Sequence, residues 1–270
     1  MEINAAAPYP VRAMKVLRLG NSNEFSGGVT EEERAAAVAE RILAEGAGEQ
    51  VETLRKKIWP TPKLPGLVDQ WLDEFQPDLV FLKVNVFWFM HESVPLRIER
   101  KVPLVGKYIA RAGWKAQDAP AVATSPPAQS VRRFVERVVG GDTYFTSKDV
   151  FARMETVIRR IVAREEVGLL VEFSQGSRPQ PELTAAQVAR KNRRRSEMHA
   201  AIKGLCEDLH VEYFGRDGPR PVEEARLPKA PDGVHHGAER NQQVGARQGE
   251  MLLKIWREMH APADRPLVAR

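Results

Sequence analysis

Three short polar segments of the sequence contain residue types that together could form a nucleophile, its base and donors for a developing negative charge. Ser22 follows an apolar run near the start of the chain, and Asn85 lies at the end of another. Asp232 stands three residues before His235, just ahead of the last helical pattern. A serine hydroxyl is a weak nucleophile that needs a base such as histidine beside it. The combination therefore predicts nucleophilic acyl transfer.

Each of these residues has a distinct predicted role. Ser22 would attack the acyl carbon, His235 would take its proton, and Asp232 would orient the imidazole. The backbone N–H of Ser22 and the side-chain amide of Asn85 would donate to the oxyanion that develops on the substrate. His236 is adjacent, but successive residues at a helix start point in different directions, so only one histidine is expected to reach Ser22.

The same residues also have ordinary structural interpretations. Ser22 is compatible with a simple turn, in which Gly20 lets the chain bend sharply without the steric cost of a Cβ. Asp232 is compatible with capping a helix. Asn85 is equally compatible with stabilising a turn and with facing a ligand. The combination of the three segments, rather than any one of them, favours catalysis.

The segments between these residues alternate between strand and helix patterns. Strands are predicted at residues 14–19, 51–57, 79–87, 167–173 and 210–214. Helices are predicted from an N-cap at Thr30 to Gly46, and at residues 67–75, 148–161, 183–208 and 238–259. This alternation predicts an α/β fold with three layers, α/β/α, around a five-stranded parallel sheet. The second strand carries charge and is expected near an edge. Ser22 and Asn85 would lie at the carboxyl ends of strands, where open α/β sheets bind ligands.

Residues 88–147 break the alternation and are predicted to form an insertion, or cap, after the third strand of a single domain spanning residues 1–270. Trp88, Phe89 and Met90 are expected to extend the apolar surface outward from Asn85 and to line an acyl pocket. The segment would then select the substrate and partly exclude water. The alternative is a surface elaboration that covers the sheet edge.

The composition limits the classes of protein. The chain has 270 residues, of which 43% are hydrophobic and 29% charged, which supports a sizeable core. The net charge of +5 is spread along the chain and does not indicate nucleic acid. The basic run at residues 190–195 has no aromatic residues between its charges, so a solvated helix face is the simpler interpretation.

A single cysteine, Cys206, excludes an internal disulfide and is interpreted as a buried thiol in a reducing compartment. No apolar stretch is long enough to span a bilayer, and the start of the chain has no apolar signal-peptide core. No Cys/His spacing suits zinc. We therefore expect a cytoplasmic protein without a metal, a cofactor or a nucleic-acid partner. The sequence does not indicate an oligomeric state.

The three polar segments resemble the sequence blocks of the SGNH hydrolases, also called the GDSL esterase/lipase family. Gly20-Asn21-Ser22 matches the first block, Asp232-Gly233-Val234-His235 the last, and Pro77-Asp78-Leu79-Val80 the usual start of the third strand. The resemblance implies the flavodoxin-like SGNH hydrolase fold over residues 15–259. It also implies a serine ester hydrolase with Ser22, Asp232 and His235 as the triad. Ser22 and Asn85 would form the oxyanion hole, and the substrate would be a small-molecule, carbohydrate or lipid ester.

Three positions depart from the family pattern. Asn21 stands where the family has Asp, and Asn85 lacks the surrounding Gly-x-Asn-Asp. No glycine corresponds to the oxyanion glycine after the second strand, where Trp59 and Pro60 lie and where proline has no N–H to donate. Two alternatives therefore stay open. One is an SGNH-like domain that binds a ligand without turnover, and the other is an acyltransferase to a sugar or another alcohol.

Overall fold

A computed structural model of the chain describes residues 12–21, 24–25, 29–90, 92–101, 108, 142–174, 184–216, 227–228 and 236–261. Its strands are β1 (Met14–Gly20), β2 (Val51–Lys57), β3 (Leu79–Val84), β4 (Glu92–Ser93), β5 (Asp142–Thr143), β6 (Gly168–Phe173) and β7 (Glu212–Phe214). Its helices are α1 (Ala35–Ala47), α2 (Leu64–Phe75), α3 (Phe87–Met90), α4 (Val94–Lys101), α5 (Ser147–Val162), α6 (Ala185–Asp208) and α7 (Ala238–Met259).

Five strands form one parallel sheet in the order β2-β1-β3-β6-β7. This is the flavodoxin-like order, and the predicted α/β/α architecture is confirmed. The charged strand β2 lies at an edge, as its composition predicts. The strand order reverses between β1 and β3, and a ligand crevice forms at the carboxyl ends of the strands on either side of such a point. Ser22 follows one of these strands and Asn85 follows the other.

Helices cover both faces of the sheet. On one face Val16, Phe81 and Leu170 pack beneath α1 and α7. On the other face Leu17 and Leu82 pack beneath α2, α5 and α6. Because both faces are buried, the central strands are apolar along almost their whole length rather than alternating.

Two glycines let α7 approach α1 closely. A Cβ on Gly245 would lie 2.5 Å from the carbonyl oxygen of Ala35, and one on Gly249 would lie 2.9 Å from that of Ala39. Backbone atoms in a helix cannot move aside for an added methyl group, so this crossing requires glycine. The contact fixes the axis of the helix that begins just after His235.

Several predicted boundaries are wrong by a few residues. β3 ends at Val84 rather than at residue 87, because the chain turns at Asn85 into α3. Thr30 is not the N-cap of α1, since that position is held by Arg34 and the Thr30 N–H bonds to Oε2 of Glu33 in the preceding turn. α2 begins at Leu64 rather than at residue 67, because a proline in the first helical turn needs no N–H partner.

The two ends of the insertion meet beside α3. β4 and β5 pair antiparallel, with Ser93 opposite Asp142, and Arg100 lies 3.6 Å from the Asp142 carboxylate. The predicted cap residues at 102–107 and 109–141 lie outside the described residues. No helix in the described part of the chain is long and apolar enough to cross a membrane.

Candidate active site

The carboxyl ends of β1, β3 and β6 lie side by side at one edge of the sheet. Val84 pairs in register with Phe173, and the N–H of Ser174 donates to the carbonyl oxygen of Val84 at 2.9 Å. Asn21, Asn85 and Ser174 therefore follow three neighbouring strands at the same edge. Ser174 is buried and polar, and its position was not predicted from the sequence.

The side chain of Asn85 has a defined orientation at this edge. Its Oδ1 accepts from the N–H of Phe87 at 3.0 Å, and the Ser174 hydroxyl lies 3.4 Å from the same oxygen. Ser174 Oγ in turn accepts from the N–H of Val86 at 3.1 Å. With the oxygen facing these donors, Nδ2 points the other way, and it makes no hydrogen bond to a residue that the structure describes. Asn85 thus stabilises its turn and also keeps a donor available.

The predicted triad, Ser22, Asp232 and His235, lies outside the described residues. The described flanks of Ser22 are Asn21 and Glu24, both buried, and the N–H of Glu24 donates to the Asn21 carbonyl at 3.1 Å. Gly20 is the last residue of β1 and does not have a positive φ, so glycine is needed there for steric reasons and not for its backbone conformation. A Cβ at position 20 would lie 2.3 Å from Cγ of Glu24, so glycine is needed there to make room for that side chain.

The flank of His235 lies at the start of α7, which runs antiparallel to the strands. Near the end of α7, Ile255 lies against Gly168 at the amino end of β6. The first turn of α7 is therefore directed toward the opposite, carboxyl edge of the sheet. There Asn241, which is fully buried, donates from its N–H to Gly237 at 3.0 Å and from Nδ2 to the carbonyl oxygen of His236 at 3.4 Å. These two bonds fix the backbone that follows His235.

Five buried side chains form a continuous hydrogen-bonded series under this edge, here called the buried polar chain. Arg18 donates from Nε to Glu24 at 2.9 Å and from Nη2 to Oε1 of Gln248 at 2.6 Å. Gln248 donates from Nε2 to Glu172 at 2.5 Å, and the Lys83 ammonium lies 2.8 Å from the other oxygen of Glu172. The series joins β1, β3, β6, α7 and the turn after β1. Two cations and two carboxylates balance each other.

The charges of this chain determine the ionisation of Glu24. Burial alone raises the pKa of this carboxyl group, but the positive charges of Arg18 and Lys83 outweigh burial and hold the pKa below its ordinary value. Glu24 is therefore a carboxylate at neutral pH. Its charge lies two residues after Ser22 in the chain.

Aromatic side chains gather beside Asn85. Phe87 stacks on Tyr144, with ring centres 5.7 Å apart, and both meet the edge of Trp59 at 6.3 and 5.5 Å. Phe87 is 39% exposed. The prediction that Trp88, Phe89 and Met90 extend outward is wrong, because α3 directs Trp88 and Phe89 into the core and packs Met90 against it, partly buried. We call Trp59, Phe87 and Tyr144 the aromatic cluster.

Two sequence features on α6 have structural explanations. Cys206 is buried, and burial together with the nearby Glu207 raises its pKa to about 12, so it is not a nucleophile. This confirms the interpretation of a buried thiol. The basic run exposes Asn192 and Arg193, whereas Arg195 turns into the protein.

A polar cleft of about 530 Å³ lies at the opposite, amino edge of the sheet. Its arginines are paired, Arg12 with Asp78 at 3.1 Å and Arg164 with Asp73 at 2.6 Å. Open parallel sheets bind their ligands at the other edge. The candidate site is therefore the carboxyl edge around Asn85.

No protein-family model matches this chain, and no curated protein matches it by sequence. Its structure is similar to that of a carbohydrate esterase family 2 enzyme with a carbohydrate-binding domain from Corynascus thermopiles (Myceliophthora fergusii). The TM-score is 0.51 and the identity 13%, over 94% of this chain and 68% of that one. A two-domain esterase active on acetylated mannans gives a TM-score of 0.51 and 11% identity, over 94% of this chain and 53% of that one. Psychrotrophic esterase EstA from Pseudoalteromonas sp. gives a TM-score of 0.48 and 10% identity, over 90% of this chain and 98% of that one. The first two similarities establish a shared fold.

Proposed function

We propose that this chain, which has the fold of the SGNH hydrolases, is a serine ester hydrolase that uses Ser22, His235 and Asp232. The observation that supports the proposal most strongly is the orientation of Asn85. Its oxygen is held by Phe87, so that Nδ2 is left as a donor at the β1/β3 switch point. An oxyanion hole needs a donor that is fixed before the charge develops.

The path of the chain supports bringing the nucleophile and the base together. Arg18 and Gln248 are joined by a hydrogen bond of 2.6 Å, which gives β1 and α7 a common reference point. From Arg18, β1 continues toward Ser22 at the carboxyl edge. From Gln248, the part of α7 that leads back to Ala238 runs in the same direction for about 15 Å, at about 1.5 Å per residue. Ser22 and His235 would therefore approach each other beyond the carboxyl edge.

In this mechanism the Ser22 oxygen bonds to the acyl carbon as its proton passes to His235. His235 then gives that proton to the departing alcohol, which leaves an acyl-enzyme. A water molecule, deprotonated by His235, attacks the acyl carbon and releases the acid and the free serine. Asp232 holds the imidazole in position and stabilises its protonated form. Asn85 Nδ2 and the Ser22 N–H would donate to the oxyanion in both steps.

The proposed substrate is a small-molecule or carbohydrate ester. The aromatic cluster beside Asn85 offers an apolar wall for either the acyl group or the alcohol group of the ester. Residues 88–147 would form a cap over this wall, within a single domain of residues 1–270. Phe87→Ala should raise KM for an aryl ester while the reaction of Ser22 with a small probe continues. An unchanged KM would exclude the aromatic cluster from the substrate pocket.

The proposal is tested by hydrolysis of a short-chain aryl ester. We expect turnover by the wild-type protein and by Ser26→Ala, a matched change four residues along the chain. Ser22→Ala should lower kcat to near the uncatalysed rate. Equal activity of Ser22→Ala and wild type would refute the proposal, and binding of esters without turnover would favour a non-catalytic domain.

A further inference from the structure

The buried polar chain connects the two segments that would have to be aligned for catalysis. Glu24 follows Ser22 by two residues, and its side chain occupies the space that Gly20 leaves open. Gln248 lies on α7, the helix that begins just after His235. Arg18 joins them by bonds of 2.9 Å to Glu24 and 2.6 Å to Gln248.

Gln248 is the chemical link in this series. An amide side chain offers both an acceptor and a donor. Gln248 uses its oxygen to accept from Arg18 and its nitrogen to donate to Glu172, and it is fully buried. A carboxylate or an ammonium group could not make both contacts. Without Gln248, the ion pairs Arg18–Glu24 and Lys83–Glu172 would be separate units.

We propose that Glu24 and Gln248 are positioning residues that hold the turn containing Ser22 in a fixed relation to α7, and thereby align the nucleophile with its base. The inference rests on the proposed function. Hydrogen-bonded buried polar networks rigidify the structure around them. Among the buried side-chain atoms of this series only Nη1 of Arg18 lacks a hydrogen-bond partner, and the guanidinium lies over the ring of Phe81 at 4.3 Å. A displacement of about 1 Å between reacting groups lowers the rate by about 100-fold.

A purely stabilising role makes a different prediction. If the buried polar chain only stabilised the core, its loss would lower the free energy of unfolding, while the fully folded enzyme would keep its kcat. A positioning role requires kcat to fall in folded protein while KM stays nearly constant, because the substrate pocket itself is unchanged.

Two variants and one control separate these roles. The variants are Gln248→Met and Glu24→Gln. Methionine has a volume similar to that of glutamine, so Gln248→Met removes the hydrogen bonds of Gln248 while leaving both ion pairs in place. It is therefore expected to fold even if Glu24→Gln does not. Asp73→Asn is the matched control, because Asp73 pairs with Arg164 at 2.6 Å at the opposite, amino edge of the sheet. The measurements are kcat and KM for aryl ester hydrolysis and hydrogen exchange of the backbone amides in residues 18–28 and 236–245.

We expect Gln248→Met to lower kcat by about 10- to 100-fold with little change in KM. We also expect it to speed hydrogen exchange of the backbone amides in residues 18–28, which are far from residue 248 in sequence. Asp73→Asn should change neither. Wild-type kcat in folded Gln248→Met would overturn the inference, whatever its rates of exchange. If the wild-type protein hydrolyses no ester, the proposed function fails separately. In that case, exchange in Gln248→Met that speeds more in residues 18–28 than in β3 and β6 still supports the positioning role, and unchanged or uniformly faster exchange refutes it.

Discussion

Oδ1 of Asn85 accepts the N–H of Phe87 at 3.0 Å, and this bond determines which end of the amide faces the substrate edge. A backbone N–H can only donate, so the oxygen must face it and the nitrogen must face away. The two interpretations of Asn85 that the sequence leaves open, turn stabilisation and ligand contact, are therefore compatible. One atom of the side chain stabilises the turn, and the other is available for the oxyanion.

Asn85→Asp separates these two tasks. The carboxylate keeps an acceptor for Phe87 but replaces the Nδ2 donor with a negative oxygen. We expect kcat to fall by about 100- to 1000-fold, with the turn and the fold retained. Asn192→Asp is the control, because it makes the same exchange at an exposed position of α6. Wild-type kcat in Asn85→Asp would exclude Asn85 from the oxyanion hole.

The adjacent histidines provide a second matched pair. His235→Ala should remove nearly all hydrolysis, because the base that activates Ser22 is lost. His236→Ala should cost much less, since the contact that residue 236 makes with Asn241 uses its backbone carbonyl, which alanine keeps. Steady-state rates of ester hydrolysis compare the two variants with the wild-type protein. If His236→Ala is the inactive variant, the predicted register is wrong by one residue.

Substituting alanine for glycine should have opposite effects on stability at the crossing of α1 and α7 and at an open position of α6. Gly245→Ala places a methyl group 2.5 Å from the carbonyl oxygen of Ala35 and should destabilise the protein by about 1–3 kcal/mol. Gly204→Ala, within α6, meets no atom within 4 Å and should stabilise the protein by about 0.5–1 kcal/mol. Urea unfolding measures both values. Equal effects at the two sites would contradict the close crossing.

Acid should weaken the contact between Glu24 and Arg18. The pKa of Glu24 in the folded protein lies below its ordinary value of 4.5, because the cations Arg18 and Lys83 outweigh the effect of burial. The unfolded chain therefore binds this proton more readily. The stability that Glu24 contributes is fully present above about pH 4.5 and is lost as the pH falls toward the folded pKa.

The measurement is the difference in unfolding free energy between wild type and Glu24→Gln as a function of pH. We expect this difference to shrink as the pH falls below about 4.5. The other acidic groups are present in both proteins, so their contributions largely cancel. A difference that stays constant across this range would mean that Glu24 is not held as a carboxylate by Arg18 and Lys83.

The sequence was sufficient for the sheet but not for the polar contacts beneath its edge. Continuous apolar runs and helical spacing predicted the five parallel strands, because burial on both faces leaves a strong pattern. Arg18, Lys83 and Glu172 were visible as single charges near the ends of three apolar strands. Their partner Gln248 lies in another part of the chain, and no local pattern identifies such a contact.

The direction of the aromatic residues after β3 was predicted wrongly for a related reason. Trp88 and Phe89 follow a buried strand, and sequence alone does not show which side of the next turn faces the core. The turn made by Asn85 directs these two residues inward and leaves Phe87 exposed. One side-chain-to-backbone hydrogen bond thus decides which aromatic residue meets the substrate edge.

Covalent labelling with a fluorophosphonate probe tests the central claim most directly, because the probe forms a stable bond only with an activated serine. Wild-type protein should gain one label, which peptide mapping by mass spectrometry should place on Ser22. Ser22→Ala and His235→Ala should remain unlabelled, and Ser26→Ala should label like wild type. A folded wild-type protein that gains no label, or a label that persists in Ser22→Ala, would contradict a serine hydrolase centred on Ser22.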